Sequence, residues 1–379
     1  MPDPSTLINA YIDVNLLLAA AFVLWVLVTR LLSALGLGHC YSAQLRALRI
    51  AFLTILLSPL IVWGLVLAGN RAGVALAEDV NLTNFVVAQY LQGHFEMDAG
   101  RLESMLAARR QFGSGGAGTA ATMVWGLLAL GFLVLAARFA ASVVKLRRLL
   151  DESFVWRRFG RLELRLSDGA TVPFSTRGLR RRIVVLPSAM LAEPEDLRIA
   201  LGHELQHLRQ RDVDWEIGLE LLKPLFFWNP AYHLWRRRTE ELRELSCDRQ
   251  VLMRKGYDVA TYCQCLLRVC HNSLRRRGLL GVSVPVVALV QTENRLFGRR
   301  SARVLRHRML ALIEGRSERH PGSLALALGL PLVGLTLLAA VAIQRPGDWS
   351  QDRLMLSTIV NLERLAVMNA TSTLIQPGY

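Results

Sequence analysis

Four apolar runs, at Val14–Leu37, Leu48–Gly69, Thr119–Val144 and Ser323–Ile343, constrain this chain more than any other feature. Each supplies the roughly 20 apolar residues a helix needs to cross the hydrocarbon of a bilayer. Backbone polar groups in lipid must be satisfied within the segment, so the runs are predicted to be transmembrane helices. Composition agrees: 52% of residues are hydrophobic although the formal net charge is +15, a pairing unusual in a soluble protein. The first run does not read as a cleaved signal peptide, because the flank before it has no Lys or Arg and the run is too long.

Basic residues set the expected orientation. Arg30, Arg46 and Arg49 flank the short first connection, whereas the segment 70–118 mixes acids and bases almost evenly. Positive charge is retained on the cytoplasmic side, which puts the N-terminus outside and that connection inside. The third run ends in Lys145, Arg147 and Arg148, so residues 146–322 are expected in the cytoplasm, and the tail 344–379 outside again. The domain plan is therefore a membrane region 1–145 with an extracytoplasmic loop 70–118, a cytoplasmic domain 146–322, a last span 323–343 and a short tail. The loop and the tail are where an external signal would enter, and Gly113–Gly118 reads as a flexible joint.

The five cysteines, Cys40, Cys247, Cys263, Cys265 and Cys270, all fall on segments assigned to the cytoplasm, where no disulfide framework is expected. Cys263 and Cys265 lack the spacing of a structural zinc pair and read as helix packing. Arginine clusters at 180–182, 236–238, 275–277 and 299–300 lie between apolar runs, with no helix-turn-helix, zinc finger or RNP pattern. Attraction to an anionic leaflet accounts for them, and no direct nucleic-acid contact is expected.

Within the expected cytoplasmic domain stands His203-Glu204-Leu205-Gln206-His207. Two histidines four residues apart project from one helix face, where both imidazoles reach one metal ion. Glu204 beside them suits a general base rather than a ligand. The surroundings predict the helix: Pro194, Glu195 and Asp196 are start signals, and Leu197, Leu201, Leu205 and Leu208 recur at helical spacing. A catalytic zinc site needs a third protein ligand and an open position. Glu244 and Asp248, also four apart on a predicted helix, offer one carboxylate to the metal and one to a histidine ring; the competing reading is a solvated face opposing Arg236–Arg238.

Two further stretches matter. Leu221–Trp235 (LLKPLFFWNPAYHLW) is apolar but too short to span and is broken by Pro224 and Pro230. It reads as a re-entrant or interfacial hairpin with Trp228 and Trp235 at headgroup level, the alternative being a core helix pair; His233 reads as packed or interfacial. Leu162–Leu186 has strand signatures, with LELRL alternating, SDGA turning and RIVVLP β-branched.

The segments HELQHLRQRD, LFFWNPAYHLW and RELSCDRQVL resemble the membrane zinc metallopeptidases of the BlaR and MecR type, the beta-lactam sensor-transducers and their relatives. VPFSTRGLRRRIVVLP is similar to the strand pair that precedes their zinc helix, so the likeness runs from about Leu150 to about Gly315. It implies a Zn2+ ion held by His203, His207 and Glu244, with Glu204 as general base and Asp248 supporting a ligating histidine. It also implies an edge strand to which an extended substrate adds. Those sensors carry a penicillin-binding domain with an S-x-x-K nucleophile. Here Ser142-Val143-Val144-Lys145 has no K-T-G partner, and residues 344–379 are too few for such a domain, so direct beta-lactam sensing is not expected.

The expected fold is mainly α, a polytopic membrane protein with about four transmembrane helices and a cytoplasmic α+β zinc metallopeptidase domain of gluzincin type. The expected function is regulatory proteolysis at the bacterial inner membrane. Alternatives are a quality-control protease of the HtpX type and a signal transducer whose zinc is structural. Expected partners are a cytoplasmic protein substrate such as a transcriptional repressor, the lipid bilayer, and a second copy in a homodimer.

Overall fold

Long apolar helices and one small sheet divide the chain much as the hydropathy pattern requires. The computed structural model describes residues 4–72, 119–178, 180–275, 287–288, 298–315 and 321–344, with positions 90, 98, 100–101, 358–362 and 365. The expected extracytoplasmic loop and tail lie almost wholly outside the described residues.

Helices α1 (Pro4–Ala34), α2 (Tyr41–Ala72) and α3 (Thr119–Asp151) precede the sheet, and α9 (Pro321–Gln344) is the last long helix. Among the described residues these four are long and apolar enough to cross a membrane. Their polar side chains turn inward to their own backbone: Thr29 donates to the Val26 carbonyl at 2.9 Å, Ser58 to Ile55 at 2.8 Å and Ser142 to Arg138 at 2.9 Å. The helices do not begin and end where hydropathy does. Leu37, the expected end of the first span, lies beyond α1, while α2 starts at Tyr41 and so carries Arg46 and Arg49 on the helix rather than in a turn. Arginine is a good helix former with a long apolar stem, so the charge that marks a membrane boundary does not end the helix.

The chain forms two compact units. One comprises Met1–Trp25, Arg49–Leu127 and Gly329–Tyr379, and the other Val26–Leu48 and Leu128–Leu328. In the first, the Tyr11 and Trp125 rings lie 6.3 Å apart. The second contains all of the sheet and the helices that follow it.

The sheet comprises β1 (Phe154–Phe159), β2 (Leu162–Ser167), β3 (Phe174–Arg177), β4 (Arg182–Pro187) and β5 (Val287–Ala288), in the order β1-β2-β4-β3-β5. Strands β2 and β4 are parallel, with Leu162 opposite Arg182 and Leu166 opposite Leu186; the other pairings are antiparallel. The turn from β1 to β2 has only two residues, and Gly160 takes φ 57° at its first position, a conformation that glycine adopts without steric cost.

A short 3-10 turn (Ser188–Ala192) leads into α4 (Pro194–Arg209), followed by α5 (Asp212–Phe226), α6 (Pro230–Lys255), α7 (Val259–Arg275) and α8 (Gly298–Ile313). The opening of α4 follows its sequence signals, with Pro194 in the first turn and Glu195 and Asp196 against the positive end of the helix dipole. Its leucines at 197, 201, 205 and 208 pack on Leu164, Val184 and Leu186 of the sheet. Ile199 and Ala200 face the other way, into a core with Cys247, Val251, Tyr262, Cys263, Cys265, Leu266 and Leu312. Helix α4 is thus buried on two sides, which places the polar residues between those stripes in the interior.

Candidate metal centre

Two helices bring the proposed ligand atoms together. His203 and His207 come from α4, and their Nε2 atoms lie 2.9 Å apart. Glu244, on α6, presents its carboxylate to both: Oε2 is 3.6 Å from His203 Nε2, and Oε1 is 3.7 Å from His207 Nε2. All three side chains are buried. Donors about 2.0–2.2 Å from one tetrahedral ion lie roughly 3.3–3.6 Å from each other, so the observed separations fit a single ion with little adjustment. The His-His-carboxylate donor set suits Zn2+.

Cys247 offers a second way to complete a triad, since one donor atom from each of His203, His207 and Cys247 lies within 4.8 Å of the others. This buried cluster is compatible with a metal ion. Its thiol, however, faces the opposite edge of His203: Sγ is 3.7 Å from Nδ1 and donates to the His203 carbonyl at 3.5 Å. The two Nε2 atoms converge on Glu244 instead.

The outer ring nitrogens are held as well. Asp212 Oδ2 accepts from His207 Nδ1 at 2.7 Å. The tight turn between α4 and α5 makes this contact possible, with Arg211 in the left-handed region at φ 56°. On the other ring, the Tyr262 hydroxyl is 2.9 Å from His203 Nδ1 and donates to Asp248 Oδ1 at 2.9 Å, while Asp248 Oδ1 itself lies 3.3 Å from that nitrogen. Asp248 is clamped by the buried guanidinium of Arg308 from α8, with Nε–Oδ2 and Nη2–Oδ1 both 2.7 Å. The same guanidinium reaches Glu244, Nη1–Oε2 at 3.2 Å, and Arg243 approaches the other oxygen at 3.4 Å. Sequence spacing singled out none of Asp212, Tyr262 or Arg308. Asp212 alone had a local signal, an acid immediately after the HELQHLRQR run.

The electrostatics follow from burial opposed by these partners. Burial alone would raise the Glu244 carboxyl, but Arg308, His207 and His203 bring it down to about 2. Asp248 is likewise held well below the usual carboxylate range by Arg308 and His203 against its burial. Burial would lower His207, yet the neighbouring Cys247 sulfur, the Glu244 carboxylate and the hydrogen bond to Asp212 push it up to about 10. The Nε2 atoms face each other at 2.9 Å, a hydrogen bond that needs a proton on one of the two rings.

Glu204 differs from every other acid here. It is fully buried, neither carboxylate oxygen has a hydrogen-bond partner, and burial raises its pKa despite both histidines. A buried carboxylate of this kind beside two imidazoles that could ligate a metal fits a site in which water and an ion complete the polar contacts.

A family model described as BlaR1 peptidase M56 matches residues 11–298, well over half of the chain. No curated protein matches it.

Proposed function

The chain belongs to the BlaR1 peptidase M56 family, and from that premise we propose that it is a zinc-dependent membrane endopeptidase whose site faces the cytoplasm. In this reading His203, His207 and Glu244 hold the ion and Glu204 is the general base. The observation that carries it is the convergence of both Nε2 atoms on Glu244 beside an unpartnered, fully buried Glu204 carboxylate.

Once bound, the ion supplies Lewis-acid polarisation of the scissile carbonyl and acidity to water at its open position. The chain's own residues do the rest. Glu204, with its pKa raised by burial, takes the proton of the attacking water and returns it to the leaving amine. Asp212 fixes the His207 ring so that Nε2 points inward, and Tyr262 with Asp248 does the same for His203. Arg308 keeps Glu244 ionised and therefore able to bind a cation.

The substrate in this reading is a cytoplasmic regulatory protein such as a transcriptional repressor, cleaved in response to a signal received across the membrane. Substrate trapping with Glu204→Gln in cells tests it. One dominant repressor-like partner is expected. Capture of many misfolded membrane proteins would replace regulation with quality control, and no captured protein together with retained zinc would make the metal structural.

A further inference from the structure

The elbow between α5 and α6 is built like a turn that has left water. Residues 224–235 contain no Asp, Glu, Lys or Arg. Leu221, Leu225, Trp228 and Leu234 are exposed, Leu221 at 61% and Trp228 at 46%. A solvated turn would expose backbone polar groups, yet these are met internally. The Asn229 side chain accepts from Ala231 N–H at 2.9 Å, its own N–H donates to the Phe226 carbonyl at 3.0 Å, and His233 Nε2 donates to the Phe227 carbonyl at 2.7 Å. Pro230 has no N–H to satisfy. Internal satisfaction is the condition for backbone to lie in hydrocarbon.

A second observation fixes the depth. The Phe227 ring packs directly on the backbone of Gly131, where an added Cβ would overlap it. Gly131 lies on α3, inside the uncharged stretch 119–137 and seven residues before Arg138, the first charge on that helix. At 1.5 Å per residue this is about 10 Å on the apolar side of Arg138. The surface of α3 is otherwise almost bare, with 6% of its most apolar window buried, as expected of a helix facing lipid.

We infer that the α5–α6 hairpin dips its uncharged tip, residues 224–234, into the acyl chains of the leaflet in which α3 ends, with Lys223 and its partner Glu220 at the boundary. Lipid hydrocarbon is the occupant because the exposed apolar face is continuous, through Phe227 and Gly131, with a helix already in contact with it. The consequence reaches the metal centre: Glu244 lies ten residues along α6 from Leu234, about 15 Å, so the site is moored close beneath the membrane surface. This inference does not depend on the peptidase reading.

The test uses the full chain carrying Cys270→Ser, reconstituted in phosphatidylcholine–phosphatidylglycerol liposomes. An environment-sensitive fluorophore is attached at Trp228→Cys, with Leu225→Cys as second reporter and Lys255→Cys, at the far end of α6, as control. Tip probes are expected to emit to the blue of the control, to lose emission with doxyl-labelled lipids and to resist aqueous iodide; the Lys255 probe should do the reverse. Iodide quenching at both tip positions would put the hairpin in water and overturn the inference. Resistance to both quenchers would also overturn it, by putting the tip in a contact between copies of the chain.

Discussion

Arg308 and Asp248 form the contact on which the metal centre's stability should depend most. Both are buried, and two nitrogen–oxygen contacts of 2.7 Å join them. Removing one member of such a pair leaves an uncompensated interior charge. Each of Asp248→Asn and Arg308→Met is therefore expected to cost about 3–5 kcal/mol, or roughly 6–20 °C in the melting midpoint of a unit this size. The Asn variant keeps the shape and the acceptor for Tyr262 but removes the carboxylate that pairs with Arg308 through two contacts. The double variant removes both charges and should be less damaged than the sum of the two, by about 2–3 kcal/mol. Thermal melts of the four chelator-treated proteins in one detergent form the cycle. Because the folded-state pKa of Asp248 is depressed, the pair's stabilisation is fully present above about pH 4 and lost only as pH falls through the folded value; the penalty should not change between pH 5 and 8. Zinc affinity of Asp248→Asn should also fall by about 10 to 100-fold without emptying the site. Additive single-variant losses, or an Asp248→Asn melt equal to wild type, would refute the reasoning.

Three further outcomes are expected. Purified His203→Ala, His207→Ala and Glu244→Ala should lose most of their zinc while Cys247→Ser and Glu204→Gln retain it; full occupancy in Glu244→Ala with loss in Cys247→Ser would transfer the third ligand to the thiol. Zinc binding should release protons and tighten as pH rises through the neutral range, because binding needs neutral imidazoles and both rings are held above the usual histidine range; isothermal titration in buffers of different ionisation enthalpy measures it, and a release of zero contradicts the raised histidines. A phosphatase active only outside the cytoplasm should be silent when fused at Gly256 and active after Tyr379, and the opposite pattern would reverse the proposed orientation.

What could be read from the sequence depended on local spacing. The pairs His203/His207 and Glu244/Asp248 each recur at i, i+4, and helix geometry alone brings each pair onto one face of α4 or α6. Strands β2 and β4 and the leucine stripe of α4 were legible in the same way, whereas the β3–β4 pair was legible only through the family resemblance. Arg308 was not, because it meets Asp248 across sixty residues of chain and no periodicity links them. Tyr262 looked like one more apolar residue on α7 until the fold put its hydroxyl between a histidine and a carboxylate. The two tryptophans of the elbow show the opposite failure. The aromatic run suggested that both lie at headgroup level, but Trp235 is only 1% exposed. Pro230 starts α6 after Trp228, so the two rings share no helical face: Trp228 stays exposed on the turn while Trp235 is carried into the interior.

The unpaired carboxylate of Glu204 can be understood from the groups around it. Glu244 and Asp248 are each held by Arg308, and His207 by Asp212, so the site balances every ionisable group it holds except one. Leaving a buried acid without a hydrogen bond costs stability on the order of 1–3 kcal/mol, which an apolar residue of similar size would avoid. The position is therefore not explained by folding. The proposed function explains it by proton transfer: a carboxylate tied down by Arg308, as Glu244 is, has a pKa near 2 and is too weak a base to draw a proton from water. Burial without a cationic clamp moves Glu204 the other way, upward, which makes it the stronger base. The same argument predicts that a clamp would disable it. Ser175→Arg on β3, whose side chain borders this carboxylate, should lower the Glu204 pKa and suppress peptide hydrolysis while zinc content holds, and undiminished turnover in that variant would remove Glu204 from the role of base.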